Sequence, residues 1–200
     1  MEINPKDLDA KSAYKLLTGS VIPRPIGWIS TLSPDGIANL APYSFFNAIA
    51  SNPPHVVFSC CITANGKKDT LNNVLATKEF VLNIVTEDTA EAMNKSAATL
   101  PAEESEFEFA GVTPIASKTV KVPRVKESPI HFECVVKHTY EIGDWEGAAT
   151  VVIGEVVNMH IEDDVMLPNY KIYNTKLKSV GSIAGSEYIR TQDVFELERP

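Results

Sequence analysis

Residues 24–62, RPIGWISTLSPDGIANLAPYSFFNAIASNPPHVVFSCCI, decide the fold of this chain. The prolines on both sides of Arg24 disfavour helical angles in the residues before them, so we predict an extended strand over 26–32. The sequence SPDG at 33–36 has the preferred residues of a type I turn at its first, second and fourth positions. Residues 37–40 can then return antiparallel. The segment therefore predicts a β-hairpin.

The rest of this stretch is interrupted by prolines. Pro42 falls within residues 41–52, whose aromatic side chains suit either a loop or a short helix, and we predict irregular structure there. The proline pair at 53–54 forms a break. Residues 55–62 are apolar and β-branched enough to predict a strand buried on both faces. Further strands are predicted over 79–85, 130–136 and 150–161.

Three segments carry apolar residues at helical spacing. The first helix is predicted over 9–17, with Gly19 as its C-terminal cap, and the second is capped by Asp69 and Thr70. The third begins at Thr86 and extends to about Ala97. The acidic residues 103–108 are expected on the surface. Many strands joined by short turns, with a few helices between them, predict a mainly β fold: an antiparallel barrel with helical additions.

Composition excludes several classes of protein. The chain has 200 residues, of which 44% are hydrophobic and 22% charged, which suits a single globular domain over 1–200. The net charge is -8 and the longest basic run is Lys67-Lys68, so nucleic-acid binding is not expected. We find no signal peptide and no run of ~18 apolar residues, so no membrane span is predicted. Three cysteines without a CxxC motif suit reduced thiols in a cytoplasm.

Motifs for common catalytic chemistries are missing. GxGxxG, GxxxxGK[ST] and GxSxG are absent, and the four histidines show no metal-ligand spacing, so we expect no metal and no side-chain nucleophile. The segment NGKKDT at 65–70 combines a glycine, two lysines and a helix start. These features suit a phosphate monoester, because amides and lysines both favour an anion. They equally suit a solvated turn before a helix.

A set of motifs that follow one another in a fixed order indicates a family. RPIGWIST, DGIANLAPYSFFNAIASNPPHVVFSC, KDTLNN and VVIGEVVNMH together resemble the FMN-binding split-barrel proteins of the flavin reductase-like family, nearer its flavoredoxin-like branch. The likeness extends from about Leu8 to Pro200. It implies an antiparallel split β-barrel, a homodimer, and bound FMN near the subunit interface.

The resemblance also implies roles for individual residues. Ser30, Thr31, Lys67, Lys68 and Thr70 would lie at the ribityl and phosphate end of the flavin. The loop formed by Tyr43, Ser44, Phe45, Phe46 and Asn47 would lie along the isoalloxazine, with its backbone amides near the polar edge of the ring and a phenylalanine as apolar cover. Core packing is the alternative role for these aromatic residues.

Four further candidates complete the cofactor-binding set. Arg24 would neutralise the phosphate or extend from the surface, and Trp28 would stack near the flavin or fill the barrel. Asn73 would offer an amide to the cofactor, unless it is an exposed helix residue. Cys60 is interpreted as a small buried side chain of its strand rather than a reactive thiol.

The predicted function is an FMN-dependent oxidoreductase that passes a hydride or electrons from NAD(P)H through bound FMN to an acceptor, with the flavin carrying the chemistry. Two departures from the family pattern favour an alternative. Trp145 replaces a histidine associated with nicotinamide, and Ser182 stands where an arginine is usual. The alternative is a flavoredoxin-like electron carrier that is reduced by a protein partner. A third hypothesis is a barrel without flavin that serves as an interaction module.

Overall fold

The computed structural model describes residues 1–198, so the last two residues of the predicted domain lie outside it. Its fourteen strands are β1 Arg24–Pro25, β2 Gly27–Leu32, β3 Ala38–Tyr43, β4 Phe46–Ser51, β5 Pro54–Cys61, β6 Glu79–Ile84, β7 Pro114–Ile115, β8 Arg124–Val125, β9 Ile130–Glu141, β10 Ala149–Ile161, β11 Met166–Leu167, β12 Lys171–Ile172, β13 Val180–Ser182 and β14 Tyr188–Arg190. The α-helices are α1 Ala10–Ser20, α2 Asp69–Thr77, α3 Ala90–Lys95, α4 Glu106–Ala110 and α5 Asn174–Leu177. Short 3-10 helices occupy Pro5–Asp7, Glu87–Thr89, Asp163–Val165 and Pro168–Tyr170.

Seven strands form the main sheet, in the order β3-β2-β6-β9-β10-β5-β4, and every neighbouring pair in it is antiparallel. The sheet curls around one hydrophobic cluster that receives side chains from both halves of the sheet and from α2, among them Ile29, Phe58, Leu71 and Val152. A second cluster, which includes Trp28 and Met93, lies on the outer face under α3 and α4. The predicted mainly β, antiparallel fold is confirmed.

The predicted hairpin at the start of the sheet is confirmed. β2 pairs with β3 from Gly27 opposite Tyr43 to Leu32 opposite Ala38. The turn between them is closed by the Gly36 amide, which donates to the Ser33 carbonyl at 3.0 Å.

Residues 41–52 are not irregular, which corrects the prediction. β3 continues through Pro42 to Tyr43, and β4 follows after a short loop. Pro42 fits because β3 is an edge strand, so a missing amide leaves no neighbouring strand unpaired. β5 is also less enclosed than predicted, because its residues alternate between buried and partly buried instead of being covered on both faces.

Helix boundaries differ from the predictions at several ends. Gly19 lies inside α1, and Val21 is the residue that caps it. α2 begins at Asp69 with Lys68 as its N-cap, so the cap predicted from Asp69 and Thr70 is one residue too late. The helix predicted to reach Ala97 is a 3-10 turn followed by α3, which ends at Lys95.

The acidic segment 103–108 is only partly on the surface. Glu106 is buried, and its carboxylate accepts a hydrogen bond from the Leu40 amide at 3.0 Å. Burial raises the pKa of Glu106, and the Leu40 amide opposes that shift. In residues 1–198, no helix is both long and apolar enough to cross a membrane.

Candidate functional site

The N-terminus of α2 is an open anion-binding position. Lys68 precedes the helix in extended backbone, with φ of -70° and ψ of 155°, and no side chain among the described residues caps the helix start. The amides of Leu71 and Asn72 turn back to the Lys68 carbonyl at 2.9 and 3.1 Å. The amides before them point out of the first turn, where the helix dipole favours negative charge. Lys67 lies beside this position, with its ammonium 3.5 Å from Glu141.

A buried hydrogen-bond network fixes the position of this helix start. Asn39 Nδ2 donates to Thr70 Oγ1 at 2.9 Å and to Thr31 Oγ1 at 3.3 Å. Asn73 Nδ2 donates to the same Thr31 oxygen at 3.1 Å. All four side chains are buried, so the network joins α2 to the β2–β3 hairpin. The structure thus brings Thr31, Thr70 and Asn73 together, and it shows that Asn73 is not an exposed helix residue.

Asn39 was not among the predicted site residues, although it belongs to the motif that carries the family resemblance. Alternation along β3 could have found it. Asn39 and Ala41 share one face of β3. They pair with Thr31 and Ile29 of β2, so all four side chains lie on the same side of the sheet.

Tyr43 lies beside the same helix start and directs its phenol hydroxyl into the protein. Its hydroxyl is buried beside the side chains of Thr70 and Cys60, and its contacts there fall short of full hydrogen-bond geometry. The Lys68 ammonium is 5.9 Å from the centre of its ring. Burial raises the pKa of Tyr43 well above its usual value, so the phenol is neutral and free to donate. A buried hydroxyl without a well-formed hydrogen bond, next to a lysine and a helix N-terminus, suits a ligand site.

Cys60 lines the interior cluster with Tyr43. Burial raises the pKa of its thiol to about 12, so it is protonated at neutral pH. The interpretation of Cys60 as a small buried residue agrees with this environment.

The loop between β3 and β4 connects this region to its surroundings. Ser44 Oγ accepts a hydrogen bond from Arg24 Nε at 3.3 Å, and the Phe45 carbonyl accepts one from the Ser59 amide at 2.9 Å. Phe46 packs against the interior cluster and covers Gly27, where an added Cβ would be 2.8 Å from its ring. Asn47 is exposed. The loop is therefore held by the hydrogen bonds of Ser44 and Phe45, and Phe46 anchors the start of β4, which is an edge strand of the main sheet.

Ser30 and Trp28 face away from this region. Ser30 Oγ donates to the Pro123 carbonyl at 2.6 Å and accepts from Asn83 at 3.3 Å. Trp28 is fully buried in the outer cluster, and its indole donates to Ser96 Oγ at 2.8 Å. The expectation that Ser30 lies with Thr31 is wrong, because consecutive strand residues point to opposite faces.

Arg24 is neither a surface residue nor a free cation. It is buried, and its guanidinium donates to the carbonyls of Thr18 and Val21 at the end of α1, to Ser44, and to the Ser182 hydroxyl and Ile183 carbonyl beside β13. These five acceptors use its full donor capacity. A role in neutralising a phosphate is not supported, because the phosphate would have to displace these partners.

Taken together, the geometry suits a phosphorylated planar ligand. The start of α2 and Lys68 would hold the anionic end, and the 44–47 loop at the start of the edge strand β4 offers backbone groups to a ring system. The residues at this site include no ionised cysteine and no histidine. Redox chemistry here would therefore depend on the ligand rather than on a side chain.

Comparison with known proteins identifies the family and the fold. The family model described as flavin reductase like domain matches residues 18–181. Nitrilotriacetate monooxygenase component B from Bacillus cereus superposes with a TM-score of 0.94 at 39% identity, covering 98% of each chain. The 2-nitrobenzoate 2-nitroreductase NbaA of Pseudomonas fluorescens gives a TM-score of 0.89 at 31% identity, covering 100% of this chain and 96% of that one.

Flavoredoxin of Desulfovibrio vulgaris (Miyazaki F) shares the fold, with a TM-score of 0.76 at 19% identity over 88% of this chain and 91% of that one. The predicted split-barrel fold class is confirmed by these similarities. With a family model that covers most of its length, the chain belongs to the flavin reductase-like family.

Proposed function

We propose that this protein is an FMN-binding oxidoreductase that transfers a hydride or electrons from NAD(P)H to an acceptor. The observation that carries the proposal is the uncapped N-terminus of α2, flanked by Lys67 and Lys68, with the buried hydroxyl of Tyr43 beside it. A phosphate monoester on a polar chain matches this combination of amides, lysine and hydroxyl donor.

The residues would divide the work of holding FMN. Lys68 and the first amides of α2 would bind the phosphate, with Lys67 adding charge, and the 44–47 loop would lie along the isoalloxazine. Bound FMN would supply the redox chemistry by accepting and giving up a hydride or single electrons. Thr31, Thr70 and Asn73 would position the phosphate-binding amides without touching the phosphate. Together with Asn39, they form the buried hydrogen-bond network that fixes where the helix begins.

The relatives favour an enzyme. Two solved structures above 30% identity are named as a monooxygenase component and a nitroreductase, and both names describe redox proteins. We infer that this chain also acts on a donor and an acceptor in turn.

An electron carrier is the second candidate. The loop between β9 and β10 carries Trp145, which is 63% exposed, and therefore has an indole where the family pattern has an imidazole. Ser182 stands where an arginine is usual, and its hydroxyl accepts a hydrogen bond from Arg24 instead of supplying a cation. Both features favour reduction by a protein partner over direct use of a nicotinamide.

An anaerobic titration separates the two candidates. The FMN-loaded protein is freed of unbound flavin and mixed with NADH and then with NADPH, while visible absorbance is followed. Rapid bleaching supports the reductase, and bound flavin that stays oxidised supports the carrier. A protein that retains no flavin contradicts both candidates and favours the interaction module.

We also propose a single-domain homodimer located in the cytoplasm. α1 and the residues after it expose apolar side chains: Tyr14 is 57%, Leu17 54% and Val21 56% accessible. Such a patch is typical of an interface. The three free cysteines suit a reducing compartment. Sedimentation equilibrium of the purified protein tests the dimer, and a monomer at micromolar concentration would contradict it.

A further inference from the structure

A large cavity of the described structure lies apart from the α2 N-terminus. It has a volume of about 830 Å³ and opens between β1, β13, the ends of β9 and β10, and the β11–β12 hairpin. Its inner wall is aliphatic and aromatic, formed by residues such as Ile84, Ile130, Phe132, Ile161 and Leu177. This volume falls within the range of small-molecule sites, and burying a ligand of matching polarity there would be favourable.

The polar groups on the wall of this cavity are already satisfied. Arg24 is its only charged side chain, and all five guanidinium donors are used within the protein. Ser179 is hydrogen-bonded to Thr191 at 3.1 Å. An anionic group inside the cavity would therefore lose its hydration without gaining a free donor from the inner wall, which is costly.

The neutral polar side chains without a hydrogen-bond partner among the described residues lie at the exposed mouth of the cavity. Tyr170 and Asn174 line it and are exposed, and neither side chain is bonded to another residue of the described structure. A ligand with an apolar body and one neutral hydrogen-bonding group at its end would match both regions.

Only Phe46 connects the cavity to the 44–47 loop. Lys68, Thr70 and Tyr43 are not part of its wall. A ligand there and a ligand at the anion-binding position would have different partners.

We propose that this cavity is a binding site for a neutral and largely apolar small molecule, separate from the proposed phosphate-binding position at α2. None of the groups that would hold a phosphate contributes to the wall, and Phe46 is the one residue that the cavity shares with the segment proposed to lie along the isoalloxazine.

A matched pair of ligands tests the chemistry. Binding of 2-naphthamide and 2-naphthoate to the full chain is measured by equilibrium dialysis, with and without saturating FMN. The two compounds have the same ring and differ in charge. We expect the amide to bind in both conditions and the carboxylate to bind about tenfold more weakly or not at all. Equal binding of both compounds, or no binding of either, would overturn the proposal, as would competition between the amide and FMN.

Two substitutions on β10 locate the site. Met159→Trp adds bulk at the cavity and should weaken naphthamide binding about tenfold. Val157→Trp, two residues earlier on an exposed part of the same strand and outside the cavity wall, should leave it unchanged. If Met159→Trp instead dissociates a dimer while naphthamide binding is absent from the unmodified protein, the cavity is a contact surface between copies, and the proposal fails. Failure of flavin retention alone would refute the proposed function and leave this site intact.

Discussion

Asn39 Nδ2 lies 2.9 Å from Thr70 Oγ1, so the second strand of the hairpin holds the first turn of α2 directly. Both residues are buried, and the same amide also reaches Thr31. The position of the first amides of α2, which we propose bind the phosphate, is thus determined by a strand that is distant from them in sequence.

Replacing Asn39 with alanine should destabilise the fold by about 1–3 kcal/mol, because buried hydroxyls lose their donor. The same change should weaken FMN binding, since the helix start is no longer fixed. Urea unfolding and flavin titration measure the two effects. Asn47→Ala, at an exposed position, is the matched control for stability and should shift it by less than about 0.5 kcal/mol. Normal flavin affinity in Asn39→Ala would show that the network does not position the site.

Lys68→Ala should weaken FMN binding by about tenfold or more, because a charge-assisted contact to the phosphate is lost. Riboflavin, which lacks the phosphate, should bind the variant and the unmodified protein equally. Fluorescence quenching of each flavin gives the two affinities. Lys11→Ala on the exposed face of α1 is the control for net charge. Equal losses for FMN and riboflavin would contradict the phosphate assignment.

Glu133 provides a prediction about pH. Its buried carboxylate accepts hydrogen bonds from the amides of Lys118 at 2.8 Å, Thr119 at 2.6 Å and Val120 at 3.0 Å, and it contacts His160. Burial alone would raise its pKa, but these hydrogen bonds outweigh burial and lower the pKa of Glu133 from 4.5 to about 2. Because the folded pKa is the lower one, this carboxylate stabilises the fold fully above pH 4.5, and the contribution is lost as pH falls towards 2.

Glu133→Gln should therefore cost about 2–4 kcal/mol at neutral pH, and the difference from the unmodified protein should shrink between pH 4.5 and 2. Denaturant unfolding at a series of pH values measures it. Glu155→Gln, which removes a surface ion pair with Lys137, should change stability little. A constant difference across the acidic range would refute the linkage.

Gly27→Ala should disturb the 44–47 loop, which we propose lies along the isoalloxazine. The new Cβ would lie 2.8 Å from the Phe46 ring, which must move or strain its neighbours, at a cost of about 1–3 kcal/mol. Thermal unfolding and the visible spectrum of bound flavin report the change. Gly19→Ala is the control: its Cβ would meet only Ala184 at 4.0 Å, and a helix interior favours alanine by about 0.5–1 kcal/mol. A destabilised Gly19→Ala protein would show that the space around α1 is misjudged.

Local patterns were sufficient for much of the fold. Turn chemistry at 33–36 and β-branched runs predicted the hairpin and the long strands, because these depend on neighbours in sequence. Pro42 was misleading, since only the strand order shows that β3 is an edge. The burial of Glu106 depends on the Leu40 amide, which no local pattern reveals.

In the candidate site, too, features set by neighbours in sequence could be predicted, and features set by distant residues could not. Alternation along β2 was available from the sequence and separates Ser30 from Thr31. The partners of Arg24 were not available, because Ser182 lies 158 residues away along the chain. Residue type alone indicated a free cation, whereas the folded chain makes it a fully bonded one.

That arrangement gives Arg24 a mechanical role. A single planar group joins the end of α1, the loop at Ser44 and the segment around Ser182. Cleaving or displacing the C-terminal segment would withdraw two of its acceptors and leave the guanidinium to find new ones. Because the same guanidinium donates to Ser44, a change that displaces Ser182 and Ile183 should also weaken the support of the loop that we propose lies along the flavin.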